Sequence, residues 1–125
     1  MKSRVLSLWE KVKSICYTSS MSHALNQELQ RIIAILQTEY HPMKIILFGS
    51  TESGDADANS DLDLVVIKKT DQRFYDRIGH IIRLVKPRES VDFLVYTPEE
   101  YARLARESWF VGEEIAKKGR VVYSN

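Results

Sequence analysis

At 125 residues the chain is the size of one domain, and its 44% hydrophobic content is enough to pack a core, which excludes a disordered tail or linker. Its 18 Lys and Arg against 17 Asp and Glu leave a net charge of +1, so there is no bulk electrostatic case for nucleic acid as a partner. A single cysteine, Cys16, can form no internal disulfide. No apolar stretch reaches the roughly 18 residues of a transmembrane helix, and Glu10 breaks the short N-terminal apolar run, so neither a membrane nor a signal peptide is expected. Together these point to a cytoplasmic protein.

Along the chain, residues 4 to 17 place Val5, Leu8, Trp9, Val12, Ile15 and Cys16 at helical spacing, with lysines opposite. Residues 17 to 22 then read as a polar linker. The expected division is an N-terminal amphipathic helix and linker over 1–21, followed by the main domain over 22–125. That helix either packs on its own domain or docks on a partner or a second copy of the chain, which makes a homo-oligomer one reading. A longer helix follows over about Ser22 to Tyr40, with Leu25, Leu29, Ile32, Ile33 and Leu36 as its buried stripe and His41-Pro42 as its stop. His23 and His41 lack metal-pair spacing and are expected at the surface or at helix caps.

The first strand is expected at Lys44 to Phe48 and the second at Leu62 to Lys68, joined by the polar stretch Thr51 to Ser60. Asp71 is placed to cap a helix with Phe74, Ile78, Ile81, Ile82 and Val85 on its apolar face. Lys86-Pro87 ends that helix, and a third strand spans Val91 to Tyr96. Thr97, Pro98 and Glu100 form a helix start with a capping box. Helical segments should run to about Lys118 with a break near Ser108, Gly119 should stop them, and Val121 to Tyr123 should form an edge strand. Strands alternating with helices indicate a layered α/β domain.

The chemistry concentrates around the first two strands. Side chains alternate faces along a strand, so Asp61 and Asp63 share one face while Leu62, Leu64 and Val66 share the other. Aspartate is depleted in strands. Two on one face are either the wet side of a half-exposed strand or ligands for a hard cation such as Mg²⁺, which also draws on substrate phosphates. Gly49-Ser50, directly after the first strand, offers backbone N–H groups to a phosphate, more so if a helix begins there. The run from Asp55 through Asp57 to Asp63 lacks the glycine and glutamate that a calcium-binding EF-hand loop needs, so Asp55 and Asp57 read as loop solubility. Ser50 has no local base to make it a nucleophile and reads as a phosphate-contacting hydroxyl. Lys68, Lys69, Arg83, Lys86 and Arg88 are candidates for neutralising phosphate and otherwise read as solvated surface.

Gly49-Ser50, ten residues, then Asp61-Leu62-Asp63 resembles the signature of the DNA polymerase beta-like nucleotidyltransferases, and the short length resembles their minimal branch, which is paired with HEPN-domain proteins in toxin–antitoxin systems. The likeness runs from about Leu25 to Tyr123 and takes in Asp92 and the closing Lys118 to Tyr123. It implies a mixed sheet flanked by helices, with Asp61, Asp63 and Asp92 as catalytic residues and ligands of two Mg²⁺ ions. Gly49, Ser50 and Ser60 would contact the nucleotide, with ATP as substrate. The chain departs from the family's usual Gly-Ser-x-Ala-Arg-Gly, because Ser53 stands where a basic residue is common and Glu52 adds a negative charge.

Two functions follow from the resemblance. One is an enzyme that transfers a nucleoside monophosphate, AMP from ATP, to a hydroxyl of a HEPN-domain partner protein, or to a small molecule such as an antibiotic. The other is a non-catalytic antitoxin that neutralises its partner by covering it.

Overall fold

The computed structural model describes residues 22–49 and 61–125. The helix expected over residues 4 to 17 lies outside the described residues, and so does the segment from Ser50 to Ser60 with Glu52, Ser53, Gly54, Asp55 and Asp57.

Helix α1 spans His23–Ile35, and its N-cap Ser22 accepts a hydrogen bond from the Leu25 N–H at 3.1 Å. Its last stretch, Leu36–Tyr40, widens into a π-helical turn. His41, at φ 58°, turns the chain in the left-handed region before Pro42. The expected stripe from Leu25 to Leu36 is buried throughout.

Four strands form one sheet: β1 Lys44–Phe48, β2 Leu62–Ile67, β3 Val91–Tyr96 and β4 Arg120–Ser124. Their order is β3-β2-β1-β4. Strand β1 is antiparallel to both β2 and β4, whereas β2 and β3 are parallel, so the sheet is mixed. A parallel pair needs a crossover, and helix α2, Phe74–Val85, supplies it. One face of the sheet, with Ile45, Leu47, Leu62, Leu64, Val66, Phe93 and Val95, packs under α1 and α2. The other, with Ile46, Phe48, Val65 and Ile67, is covered by α3, Pro98–Glu107, and the π-helical α4, Phe110–Lys117. Cover on both faces explains why β1 and the end of β2 read as continuous apolar runs. On the edge, the pairing of β4 with β1 skips Val122 between Tyr123 and Val121, a bulge that leaves Val122 and Tyr123 both buried.

Thr97 forms the expected capping box with Glu100, and the extended Ser108 separates α3 from α4. Gly119 follows α4 because of space: a Cβ there would meet the Ile115 carbonyl oxygen and lie 2.8 Å from Ile46 Cγ2. Helix α2 differs from expectation at two points. Its cap position is Arg73, with no side-chain hydrogen bond, so Asp71 does not cap it. Ile82 is 46% exposed, and the buried stripe instead takes in Arg77. Arg77 can be buried because its guanidinium donates to the Val95 and Gln72 carbonyls at 3.1 and 2.8 Å and pairs with Glu100 at 2.7 Å. Among the described residues, no helix is long and apolar enough to cross a membrane.

Candidate functional site

Strand pairing brings the separated carboxylates together. Asp63 of β2 lies in register with Asp92 of β3 on one side and with Phe48 of β1 on the other. Neighbouring strands lie roughly 4.8 Å apart, and residues in register share a face. Asp61, two residues earlier, is on the same face as Asp63. It is the face that α3 and α4 cover further along. Asp61 and Asp63 are partly buried, and Asp92 is exposed.

The electrostatics follow from this crowding. Burial, then the charge of Asp92, then that of Asp61, push the Asp63 carboxyl up to about 6. Gly49, at the end of β1, lies hard against the same group. Its φ of +87° suits glycine, and a Cβ there would sit 2.5 Å from Asp63 Oδ2. The Gly49 backbone and the Asp63 carboxylate are thus in direct apposition.

A second set of contacts fixes the approach to β3. The Glu28 carboxylate accepts from the Arg88 and Glu89 backbone N–H groups at 2.6 and 3.3 Å. It also pairs with Arg31 at 2.7 Å, and Arg31 donates to the Val85 and Lys86 carbonyls at 2.9 and 3.2 Å. Leu62 N–H donates to the Ser90 carbonyl at 2.9 Å and closes the register two residues before Asp92. The Arg31 hydrogen bond outweighs burial and, with the two backbone donors, holds the Glu28 carboxyl down to about 2. Sequence reading missed this clamp. Its only local signal is the i,i+3 spacing of Glu28 and Arg31, with Glu28 inside an apolar stripe.

Of the residues expected at the site, Gly49, Asp61, Asp63 and Asp92 come together, and Ser50 and Ser60 lie outside the described residues. Lys68 is committed elsewhere: its Nζ donates to the Tyr40 carbonyl at 2.6 Å and lies 4.9 Å from the Tyr40 ring centroid. Among the described residues, no three His, Cys, Asp or Glu side chains form a ready-made metal cage. The donor set at Asp61, Asp63 and Asp92 is oxygen only, which suits a hard divalent cation rather than zinc or copper. Sequence reading also missed an aromatic pair beside the carboxylates. The Phe48 and Phe110 rings meet edge to face, with centroids 5.8 Å apart.

Residues 30–125 match the family described as Polymerase beta, Nucleotidyltransferase. In fold the chain is similar to a protein from Sulfolobus solfataricus assigned as a nucleotidyltransferase, with a TM-score of 0.60 and 18% identity over 93% of this chain and 86% of that one. It is also similar to a chain in the crystal structure of a toxin–antitoxin with AMP-PNP, with a TM-score of 0.50 and 19% identity over 76% of this chain and 72% of that one. No curated protein matches the chain. With the match covering most of its length, and the mixed sheet carrying Gly49, Asp61, Asp63 and Asp92 at one end, the chain belongs to the Polymerase beta nucleotidyltransferase family.

Proposed function

We propose that the protein transfers AMP from ATP to a hydroxyl of a partner protein, and that the partner is a HEPN-domain toxin for which it serves as antitoxin. The observation that carries the reading is the in-register pair Asp63 and Asp92, with Asp61 on the same face and the Gly49 backbone against the Asp63 carboxylate. Crowded carboxylates repel when ionised, and the rise of the Asp63 carboxyl to about 6 comes first from burial and then from the charges of Asp92 and Asp61. Such a donor set fits Mg²⁺ held by Asp61, Asp63 and Asp92, which when bound supplies charge neutralisation for the phosphates and acidifies a hydroxyl.

In this reading Asp61 and Asp63 would hold the divalent cation that neutralises the triphosphate end of ATP. Gly49 lets the backbone come close to a phosphate, with Ser50 and Ser60 as further nucleotide contacts. Asp92, on the other side of Asp63, orients the acceptor hydroxyl and takes its proton. The acceptor oxygen forms a bond to the α-phosphorus, the bond to the bridging oxygen breaks, and pyrophosphate leaves. The fold likeness to a toxin–antitoxin chain supports a protein acceptor. The helix expected over residues 4 to 17 is then a docking element for that partner or for a second copy.

ATP labelled on the α-phosphate should label the partner in the presence of Mg²⁺, and ATP labelled on the γ-phosphate should not. Label passing from the γ position would mean phosphorylation and would overturn nucleotidyl transfer. Ser53, in place of a basic residue, favours a second reading, a binding module that neutralises its partner by covering it. That reading expects tight binding with label from neither position.

A further inference from the structure

Phe110 and its chain neighbour Trp109 are large apolar side chains left open to solvent, at 45% and 70% exposure. Phe110 is the first residue of α4. Its ring meets that of Phe48 at 83°, with centroids 5.8 Å apart, and Phe48 is the register neighbour of Asp63. An edge-to-face contact leaves at least one face of Phe110 uncovered, which agrees with its exposure. Phe110 is therefore one ring contact away from the register neighbour of Asp63. A nucleotide whose phosphates are held near Asp61 and Asp63 through a divalent cation would extend its ribose and base away from those carboxylates.

The strand order sets these residues on two sides of Asp63. In the order β3-β2-β1-β4, Asp92 lies on one side of Asp63, and Gly49, Phe48 and Phe110 lie on the other. The β1 side therefore joins a backbone suited to phosphate to an aromatic surface, while the β3 side is left to the acceptor. We propose that Phe110, propped by Phe48, is the stacking surface for the base of the nucleoside triphosphate. This rests on the nucleotidyltransferase reading and makes Phe110 a substrate-binding residue of the same site. A stacked ring has no hydrogen-bond readout, so it gives affinity for a base without strong choice among bases.

The test is calorimetric binding of ATP and of inorganic tripolyphosphate, each with Mg²⁺, to the full chain. Native protein should bind ATP more tightly than tripolyphosphate. Phe110→Ala should weaken ATP about tenfold or more, the usual effect of losing a base-stacking ring, and leave tripolyphosphate unchanged. Phe110→Tyr should keep the native preference. Tyr75→Ala, which removes an 82% exposed aromatic on α2, should change neither. Unchanged ATP affinity in Phe110→Ala, the outcome if the rings serve a protein surface instead, would overturn the proposal, and so would equal weakening of both probes. Should Phe110→Ala fail to fold, the native protein alone decides: no preference for ATP over tripolyphosphate would overturn the stacking role. Native protein that binds neither probe would overturn the nucleotidyltransferase reading itself, and the stacking role with it.

Discussion

Asp63 is partly buried, with Asp92 across the strand pair, Asp61 along the strand and the Gly49 backbone against its carboxylate. Its carboxyl is raised from 3.8 to about 6, so the folded state binds more protons than the unfolded state in that interval. For this group, stability is therefore lost as pH rises from 3.8 to about 6 and stays lost above it. In metal-free buffer the native urea midpoint should show this decline, and Asp63→Asn should lack it and be the more stable protein at pH 7. Parallel profiles for the two proteins would count against the crowded carboxyl. Gly49→Ala tests the same contact from the other side. A left-handed alanine costs about 1–2 kcal/mol, and its Cβ would add a clash with Asp63 Oδ2. Urea denaturation should show a loss of at least that order, and a loss near zero would show that the two groups are not held together.

At the scale of elements, the clamp between α1 and the loop before β3 is the contact that local sequence hides best. Glu28 is held at about 2 against an ordinary 4.5, so its contribution is complete above 4.5 and disappears as pH falls through about 2. Glu28→Gln leaves Arg31 without its carboxylate and weakens two backbone hydrogen bonds. The expected cost at pH 7 is about 2–3 kcal/mol, with a shallower acid limb in a pH series of urea melts. A variant as stable as native at pH 7 would remove the clamp's role. The strands were legible because apolar runs bounded by turn residues determine them locally, and Thr97 to Glu100 was legible because a capping box is a local device. The start of α2 was not, since Asp71 and Arg73 compete within three residues and the chain settles on Arg73 without a side-chain cap. Nor was the exchange of Ile82 for Arg77 in the buried stripe. It depends on Val95 and Glu100, partners that lie far along the chain.

Across the whole molecule, the face shared by Asp61 and Asp63 followed from the period of two, and Asp92 entered through the family resemblance. Their meeting depends on the parallel pairing of β2 with β3, which no local pattern specifies. The same holds for Phe110, which read as one more residue in a helical run until α4 packed it on Phe48. The most direct measurement is intact mass of the proposed HEPN-domain partner protein after incubation with the full chain, ATP and Mg²⁺, alongside a binding measurement. Native protein should add the mass of one nucleoside monophosphate to the partner. Asp61→Asn, Asp63→Asn and Asp92→Asn should each bind the partner as native does and slow the addition on the order of 10²-fold or more, as expected when one charge-stabilising group is lost from a transfer that depends on positioning and electrostatics. Partner bound equally by native and variant proteins, with no mass added by any of them, would leave a binding module and no enzyme.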